Sequence, residues 1–426
     1  MNASLYDENR GCGYGGGGWI GALYSQIRGL VTESIELGVA FIYSKGIKET
    51  IAGVTYYGIE SQSPKGLGKW LYYLGGYKSM THLDYFKEIT SVIEDFKPDL
   101  IHLWGIENSL ASVSHYKDIP VVTHLQGLLS LYRYIYYPYG TNAYSFMLDR
   151  FSKREWVLHN GFIFGEHIMR HRAEIEKTHL RDVGAVMGRT SWDKEVALFN
   201  NPNVKYYHVD EALRTQFYSA PSWDKVRNGK FIIISTISET IYKGFDVVLR
   251  AAKVLKEYNY FDFEWQIIGV GPDSDFVKWF EKIVNIKCAA VNVRCLGVQT
   301  PEQLIQILLN ADMYVHPSYI DNSPNSLCEA QYLGVPCCAT NVGGVSSLIK
   351  DKVSGVLIPS NAPFDMAMAI KDCYDNVDTW KVYSVNAKAY AQKRHDPERI
   401  LQQLLFVYRD LTESNHDTLL HKQTMA

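Results

Sequence analysis

Disulfide or zinc motifs, a strong net charge and long apolar runs are all missing from this 426-residue sequence. Its 7 cysteines lie mostly inside apolar segments and form no Cys-x-x-Cys pair, which predicts buried free thiols and no zinc site. The net charge of −3 gives no general attraction to nucleic acids. Because no apolar run reaches about 18 residues and the N-terminus lacks the pattern of a signal peptide, the sequence predicts a cytoplasmic protein.

The composition is that of an ordinary globular protein, with 46% apolar and 21% charged residues. A chain of 426 residues is long for a single core, so its length predicts two domains of roughly 200 residues each. Tyrosine is unusually abundant, with 30 in the chain, and it clusters in residues 130–146.

The second half of the sequence alternates apolar segments with helical patterns. The apolar segments predict buried parallel strands, and patterns such as FDVVLRAAKVLKEY and PEQLIQILLNA predict helices between them. Thr300 and Pro301 suit the N-cap and the first position of the second of these helices. The alternation predicts a parallel sheet covered on both faces. The predicted strands are 230–236, 263–269, 291–297, 312–318, 335–342 and 355–359.

The first half alternates less regularly but contains the same kinds of segment. Helices are predicted at 18–31 and 85–97, and the link between the domains is predicted in the polar segment 213–230. The predicted strands are 38–44, 98–105, 120–127, 185–190 and 204–209. The resulting division is an N-terminal domain (1–225), a C-terminal domain (226–395), a crossover helix (396–412) and a flexible tail (413–426).

Two acidic residues, Asp321 and Glu329, bracket a polar loop between a predicted strand and a predicted helix. In an open parallel sheet such a loop lies at the carboxyl ends of the strands, where ligands bind. With Ser326 as N-cap, Glu329 fits a capping box; beside a phosphate at the helix start, its carboxylate would instead accept both hydroxyls of a ribose. Asp321 is either a common loop-starting residue or a ligand for the hydroxyls of a second sugar.

The segment HPSYIDNSPNSLCEAQYLGVPCCATNVGG resembles the acid-x7-Glu segment of retaining glycosyltransferases with the type-B fold, in particular those of family 4. YKGFDVVLRAAKVL is similar to the Lys-Gly helix start of that family, and other family-like segments follow in the expected order. The resemblance covers residues 230–410 strongly and the first half weakly. It implies an α/β fold of two Rossmann-like domains facing across a cleft (the GT-B fold), with a C-terminal helix that crosses back to the N-domain.

The resemblance also implies retention of the anomeric configuration, no essential metal and a set of residue roles. Glu329 would bind the nucleotide ribose, Asp321 the hydroxyls of the donor sugar, and Lys243 the leaving diphosphate. The remaining donor-site candidates are the backbone around Asn322, Ser323 and Asn325 at the sugar, the helix start at Ser326 at the diphosphate, and Gly269, Gly271 and Val298 near the base.

Three positions depart from the pattern of the family. Asp321 stands where the family usually has Glu, and the segment VGGVSSLI has Ser where the family often has Pro-Glu. Ser238 occupies the position of an arginine that shares the phosphates with the lysine, and Arg189 is a candidate to replace that cation. Lys243 also has a simpler interpretation as a solvated lysine, although a cation at a helix start is unfavourable unless an anion is present. Gly269 and Gly271 would equally suit a plain tight turn.

A glycine-rich stretch, GCGYGGGGWIGAL, precedes the first predicted helix. It fits the G-x-G-x-x-G pattern of dinucleotide sites, but that pattern must follow a strand and none is predicted before it. The resemblance places the stretch, including Gly17 and Gly18, at the donor phosphates or the acceptor across the cleft. Because the family has an apolar strand at this point, we expect either a start site placed too far downstream or a truncated N-domain.

His102, Trp104, Glu107 and His124 lie at or just after predicted strand ends in the first half. Each suits either an ordinary edge position or a contact to substrate, and His124 is the candidate to face the cleft and donate to the donor sugar or acceptor. The tyrosine-rich segment and the basic, aromatic segment 150–172 suit an acceptor surface, a peripheral contact with the inner face of the membrane, or ordinary packing.

The sequence therefore predicts a glycosyltransferase that moves a sugar from a UDP- or GDP-sugar to a hydroxyl of a glycan or lipid-linked glycan, with no nucleic-acid partner. Its catalytic candidates are Asp321, Lys243 and His124. Three alternatives stay open. A silent homologue that binds a nucleotide sugar is favoured by Ser238, a nucleotide-sugar epimerase would share the type-B fold, and a nicotinamide dehydrogenase lacks the strand it needs before the glycine stretch.

Overall fold

Strands of the first half form two sheets. In a computed structural model the described residues are 6, 18–31, 35–62, 85–107, 109–116, 118–142, 145 and 162–424. The first sheet contains β1 (Leu37–Tyr43), β2 (Ile47–Ile51) and β3 (Val54–Glu60), with β1 parallel and β2 antiparallel to β3. The second is parallel, in the order β4 (Ile101–Trp104), β5 (Val121–His124), β6 (Ala185–Gly188) and β7 (Lys205–His208). The sequence patterns predicted all of these strands except β2 and β3.

Helices of the first half pack on both faces of the second sheet. Neighbouring residues Val121 and Val122 of β5 enter different apolar clusters, as expected of a strand buried on both faces. Ile89 lies in the first cluster and Trp19 in the second. The helices are α1 (Gly18–Arg28), α2 (Phe86–Phe96), α3 (Leu129–Tyr132), α4 (Phe162–Asp182) and α5 (Ser191–Asn200).

The second half contains a six-stranded parallel sheet. Its strands are β8 (Phe231–Thr236), β9 (Phe263–Ile268), β10 (Val293–Gly297), β11 (Met313–His316), β12 (Cys337–Thr340) and β13 (Val356–Ile358), all at predicted positions. They lie in the order β10-β9-β8-β11-β12-β13, so the chain reverses its direction across the sheet between β8 and β11. The loops after these two strands diverge at the carboxyl edge, and the crevice between them is the usual ligand position in such sheets.

Helices cover this sheet as the strand–helix alternation predicts. They are α6 (Thr215–Tyr218), α7 (Phe245–Tyr258), α8 (Asp275–Val284), α9 (Pro301–Leu309), α10 (Asn325–Leu333), α11 (Pro363–Asp375) and α12 (Val377–Arg394). Helices α7, α8 and α11 bury apolar residues on one face, and α9 and α10 do so on the other. The start of α9 is the predicted one, because Thr300 and Gln303 form a capping box around Pro301.

The last helix, α13 (Pro397–Thr424), leaves the second domain and packs on the first. Its Ile400 and Leu404 share an apolar cluster with Val122 of the N-terminal sheet, which confirms the predicted crossing. The helix continues to Thr424, whereas the sequence predicted a flexible tail from residue 413. Of the helices in the described ranges, none has the length and apolar composition needed to cross a membrane.

The segment between the domains packs mainly on the second one. Leu213 and Phe217 enter the apolar cluster formed by α9 and α10. The indole N–H of Trp223 donates to the carbonyl oxygen of Ala311 at 2.7 Å. These contacts attach the segment to the C-terminal domain ahead of the boundary predicted at residue 225, and they fix the position of Arg214 within it.

Candidate active site

A buried ion pair lies in the crevice between the loops after β8 and β11. The ammonium Nζ of Lys243 is 2.6 Å from Oδ2 of Asp321. Nε2 of His316, the last residue of β11, is 3.2 Å from the same oxygen. Burial alone would raise the pKa of Asp321, but the Lys243 charge and the nearby His316 outweigh it and hold that pKa well below its usual range. The fold thus brings two predicted site residues together from distant parts of the chain.

Glycines fix the backbone around this ion pair. Gly244 has a φ of 76°, and a Cβ added there would lie 2.1 Å from the carbonyl oxygen of Pro317. Gly343 has a φ of 52°, and its Cβ would lie 2.0 Å from the carbonyl oxygen of Asp321. Only glycine suits such positions, because a side chain would meet backbone atoms in a conformation that L-residues rarely adopt. The loops carrying Lys243 and Asp321 are therefore held by close backbone contacts.

The side chains of Asn322 and Ser323 hold the two domains together. The hydroxyl of Thr190 donates to Oδ1 of Asn322 at 2.7 Å, and Nδ2 of Asn322 donates to Asp193 at 3.1 Å. The hydroxyl of Ser323 donates to Glu211 at 2.6 Å. A sugar in the crevice would therefore meet the backbone of these two residues, which is the part of them that the resemblance assigns to the sugar pocket.

Two helix N-termini face each other across the cleft. A Cβ added to Gly18, the first residue of α1, would lie 3.1 Å from Nδ2 of Asn325, the first residue of α10. Helix α10 has Pro324 as its N-cap and no side-chain capping hydrogen bond. The backbone N–H groups and the positive dipole end of such helices suit an anion. Gly17 lies outside the described residues.

The capping-box interpretation of Glu329 is wrong. Ser326 is the second residue of α10 and not its cap, and its Oγ accepts a hydrogen bond from the Tyr314 hydroxyl at 2.8 Å. Because the helix begins at Asn325, Glu329 lies beyond the first turn, out of reach of the cap. Its carboxylate is therefore available for another partner.

That partner is Arg214, which binds Glu329 through two hydrogen bonds. Nε donates to Oε1 and NH2 donates to Oε2, each at 2.7 Å. Glu329 is only 2% exposed. Burial raises its pKa, and the hydrogen bonds and charge of Arg214 oppose that effect. The sequence patterns did not identify Arg214, because nothing in the polar linking segment distinguishes it from a solvated arginine.

Gly269, Gly271 and Val298 lie at the carboxyl edge of β9 and β10, close to the loop after β8. Gly269 has a φ of 102°, its N–H donates to Gly297, and its Cβ would lie 2.4 Å from the carbonyl oxygen of Ile237. Gly271 has open space around it. Val298 is 82% exposed, so this edge presents an apolar side chain to a ligand.

Ser238, in the loop after β8, has no charge to offer a phosphate. Its exposed hydroxyl lies 3.0 Å from that of Thr240. Arg189, the predicted replacement cation, lies instead in the N-terminal domain, beside Trp19 and Gln126. Its guanidinium covers the Trp19 ring at 4.3 Å, and its NH2 donates to the carbonyl oxygen of Gln126 at 2.6 Å. Arg189 is buried, so it contributes its charge to this region without facing the solvent.

His124 is covered by neighbouring rings, which corrects the expectation that it faces the cleft directly. The Trp19 ring is 4.7 Å from it and the His102 ring 5.5 Å, measured between ring centroids. Burial and the nearby charges lower its pKa well below the usual value, so the imidazole is neutral. Neither ring nitrogen has a hydrogen-bond partner among the described residues.

Two aromatic residues border the ion pair and were not predicted as site residues. Tyr132 comes from α3 of the N-terminal domain, and its ring lies 5.3 Å from that of Tyr242, the neighbour of Lys243. Burial, Asp321 and Tyr242 raise the pKa of Tyr132 well above its usual value. His316 was also missed, although its position at a strand end is the same signal that identified His124. Sequence patterns had assigned the tyrosine-rich segment only to an acceptor surface, a membrane contact or packing.

Among the described residues, one cluster has side chains of the types that bind metal ions. It consists of Glu211, Cys328 and His395. The guanidinium of Arg394 contacts both Glu211 and Asp210 at 3.1 Å. A cation at this point would meet a buried positive charge, and the Glu211 carboxylate already accepts from Ser323 and Cys328. We interpret the group as part of the polar network that joins the domains.

Residues 222–390, less than half of the chain, match the family model described as glycosyl transferases group 1. The D-inositol 3-phosphate glycosyltransferase of Paenarthrobacter aurescens is 34% identical over 138 residues, which are 32% of this chain and 34% of that protein. The putative colanic acid biosynthesis glycosyltransferase WcaL of Escherichia coli is 26% identical over 170 residues, 38% of this chain and 41% of that protein. The chain spans less than half the length of these two curated relatives.

Similar solved structures extend the comparison to most of the chain. Sucrose-phosphate synthase from Thermosynechococcus elongatus has a TM-score of 0.65 at 14% identity, over 92% of this chain and 93% of its own. Anabaena HepE in complex with UDP-glucose has a TM-score of 0.56 at 16% identity, over 76% of this chain and 82% of its own. These likenesses concern the fold, and they confirm the predicted GT-B arrangement of two Rossmann-like domains. With the family match, they also confirm the resemblance to type-B glycosyltransferases.

Proposed function

We propose that this protein is a retaining hexosyltransferase that moves a sugar from a nucleotide-diphosphate sugar to an acceptor hydroxyl. The observation that carries the proposal is the position of the Lys243–Asp321 pair. It lies where the strand order reverses, in the usual ligand crevice of such sheets. The facing helix starts at Gly18 and Asn325 add the donors that a diphosphate needs.

In this proposal Lys243 donates hydrogen bonds to two partners, the Asp321 carboxylate and the diphosphate. An ammonium group has three N–H donors, and the Asp321 carboxylate takes one of them. The others donate to the diphosphate, which also receives N–H groups and the positive dipole end at the start of α10. Asp321 holds Lys243 in place and keeps lone pairs for the hydroxyls of the donor sugar. His124 and Arg189 complete the N-terminal wall behind Trp19.

In the reaction, the bond between the sugar C1 and the phosphate oxygen breaks, and its electron pair stays with the nucleoside diphosphate. The acceptor oxygen forms the new bond to C1, and its proton passes to the leaving phosphate. Stabilising the charge that develops on the phosphate is the main task of Lys243 and the helix start. No metal takes part in these steps, because these groups already supply positive charge at the leaving diphosphate.

The nucleoside lies toward β9 and β10. Glu329 accepts the ribose hydroxyls, and Gly269, Gly271 and Val298 border the base. A UDP-sugar is the first donor to consider, because a similar structure, Anabaena HepE, was solved with UDP-glucose; a GDP-sugar is the second. The acceptor is a glycan or lipid-linked glycan, in keeping with a relative named for colanic acid biosynthesis. We place the protein in the cytoplasm. The exposed rings of Tyr134 and Tyr139, at the rim of the N-domain, suit a contact with the acceptor or with the membrane surface.

A catalytically silent homologue that binds a nucleotide sugar is the second candidate. Ser238 favours it, because this neutral side chain stands where the related enzymes carry a phosphate-binding arginine. An epimerase on the same fold would release nucleotide without any acceptor. Both alternatives keep the nucleotide site, so transfer of the sugar to an acceptor is what separates them from a transferase.

Thermal stability in the presence of nucleotides tests the donor site. UDP, GDP and ADP, with their sugar conjugates, are added to the wild type at increasing concentration. The matching nucleotide at ~100 times its Kd is expected to add about 2.7 kcal/mol to the free energy of unfolding. Glu329→Ala is expected to lose that shift, while Glu257→Ala, a change on the exposed end of α7, keeps it. No shift with any nucleotide would contradict the proposed function.

A further inference from the structure

The Arg214–Glu329 pair joins the segment between the domains to the helix of the proposed donor site. Both carboxylate oxygens of Glu329 accept from the guanidinium at 2.7 Å. The side chain of Glu329 is 3% exposed and that of Arg214 is 21% exposed. The arginine is therefore the more exposed partner of the pair.

The position of Arg214 is fixed on both sides. Leu213 and Phe217 are fully buried in the cluster under α9 and α10, and the guanidinium lies 5.1 Å from the centre of the Phe217 ring. Upstream, Glu211 is held by the Arg394 guanidinium at 3.1 Å and by the Ser323 hydroxyl at 2.6 Å. An arginine anchored in this way keeps one geometry toward Glu329 at little further cost in side-chain entropy.

A buried carboxyl without such a partner would be a poor ligand for a diol. Burial raises the pKa of Glu329, and a protonated carboxyl donates one hydrogen bond where the ionised form only accepts. The guanidinium uses one lone pair on each oxygen and leaves one on each. The remaining lone pairs diverge to different sides of the carboxylate, so one oxygen at a fixed position can accept from a ribose hydroxyl.

Arg214 is the one charged side chain that shifts the pKa of Glu329 within the described part of the chain. The elements packed around α10 are α6, α9, α12, β11 and β12. The ionisable side chains on these elements include Tyr218, Glu302, Tyr314, Cys337, Lys388 and Arg394. The charge of Arg394 acts on Cys328 of α10, and that of Arg214 acts on Glu302. The ionisation of Glu329 thus depends on Arg214 in particular.

We propose that Arg214 is a positioning residue for the nucleotide ribose. It holds Glu329 ionised and oriented, and so makes the site select ribonucleotides over their 2′-deoxy analogues. This inference rests on the proposed function, because it takes Glu329 to be the ribose ligand. It goes beyond that function by assigning the choice between ribose and 2′-deoxyribose to Arg214, a residue outside α10.

Calorimetric titration of UDP and 2′-deoxy-UDP, and of GDP and 2′-deoxy-GDP, tests the inference between pH 6 and pH 8. The wild type is expected to prefer the ribonucleotide about tenfold or more, and its Kd gives the reference pH profile, because the terminal phosphate of the nucleotide itself ionises near pH 6. Arg214→Met is expected to weaken ribonucleotide binding about tenfold at pH 6, to recover part of it at pH 8, and to lose most of the preference. The sign follows from the pKa of Glu329, which rises without the guanidinium, so that the accepting carboxylate is restored as pH increases.

Two further variants separate positioning from folding. Arg214→Lys is expected to keep the wild-type pH profile and part of the ribose preference, because it retains the charge without the two-pronged geometry. Lys225→Met removes an ion pair with Asp312 of similar burial at the opposite, amino edge of the same sheet, and is expected to leave both readouts unchanged.

Two results would overturn the inference alone. One is tighter nucleotide binding by Arg214→Met, which would make Arg214 a competitor of the ribose. The other is an Arg214→Met variant that keeps both the wild-type pH profile and the wild-type preference for ribonucleotides over their 2′-deoxy analogues. Failure of the wild type to bind any of the four nucleotides would instead overturn the proposed function, and the inference with it.

Discussion

Lys243→Met is expected to lower sugar transfer by about 10²- to 10³-fold, because the leaving diphosphate loses its closest cation. The same change leaves Asp321 buried with His316 as its remaining partner, so a loss of about 3 kcal/mol in the free energy of unfolding is expected as well. Initial rates of nucleotide release and a urea unfolding curve measure the two effects separately.

A double variant distinguishes catalysis from stability. In Lys243→Met with Asp321→Asn, the buried carboxylate is replaced by a neutral amide, and most of the lost stability is expected to return. Activity is expected to stay low, because no cation has been restored. If the double variant regained near-wild-type turnover, the charge of Lys243 would have only a structural role and the proposed chemistry would be wrong.

Gly244→Ala is expected to be the next most damaging single change. The added Cβ would lie 2.1 Å from the carbonyl oxygen of Pro317 at a φ of 76°, so the backbone must shift. Because Lys243 is the preceding residue, we expect a stability loss of about 2 kcal/mol or more and a drop in turnover of at least about tenfold. Melting temperature and initial rate are the two measurements.

Gly184→Ala is the matched control for this change. Gly184 lies just before β6, at the amino edge of the N-terminal sheet, has no atom within 4 Å of an added Cβ and has no positive φ. It is expected to change stability by less than about 0.5 kcal/mol. Equal effects of the two alanine substitutions would show that the close approach of Gly244 to Pro317 does not position Lys243.

The sequence predicted the parts of the fold that depend on local patterns. Each strand of the six-stranded sheet lies in a segment rich in apolar residues, and Thr300 with Pro301 marks the start of α9 as capping chemistry requires. The strands β2 and β3 were missed because their residues are mixed in polarity and lie on a small separate sheet. The helical extension to Thr424 was missed because its polar sequence has no strong apolar face.

The candidate site was predictable only where a motif identifies it. Asp321, Glu329 and Lys243 were found from the acid-x7-Glu and Lys-Gly patterns, and the first and third form the observed ion pair. Arg214 was not found, because its contact with Glu329 joins residues 115 positions apart and no pattern records it. The burial of His124 also depends on tertiary packing, since Trp19 covers it from a different element.

Proton and phosphorus NMR of the enzyme with UDP-glucose, GDP-mannose or another member of the nucleotide-sugar panel is the most direct test of sugar transfer. The expected result is release of free nucleoside diphosphate, slowly to water and faster with an acceptor, with the transferred sugar in the same anomeric configuration as in the donor. Lys243→Met should show neither the release of nucleoside diphosphate nor a transferred sugar. Binding of a nucleotide sugar without any release, or a product of inverted configuration, would contradict a retaining transferase.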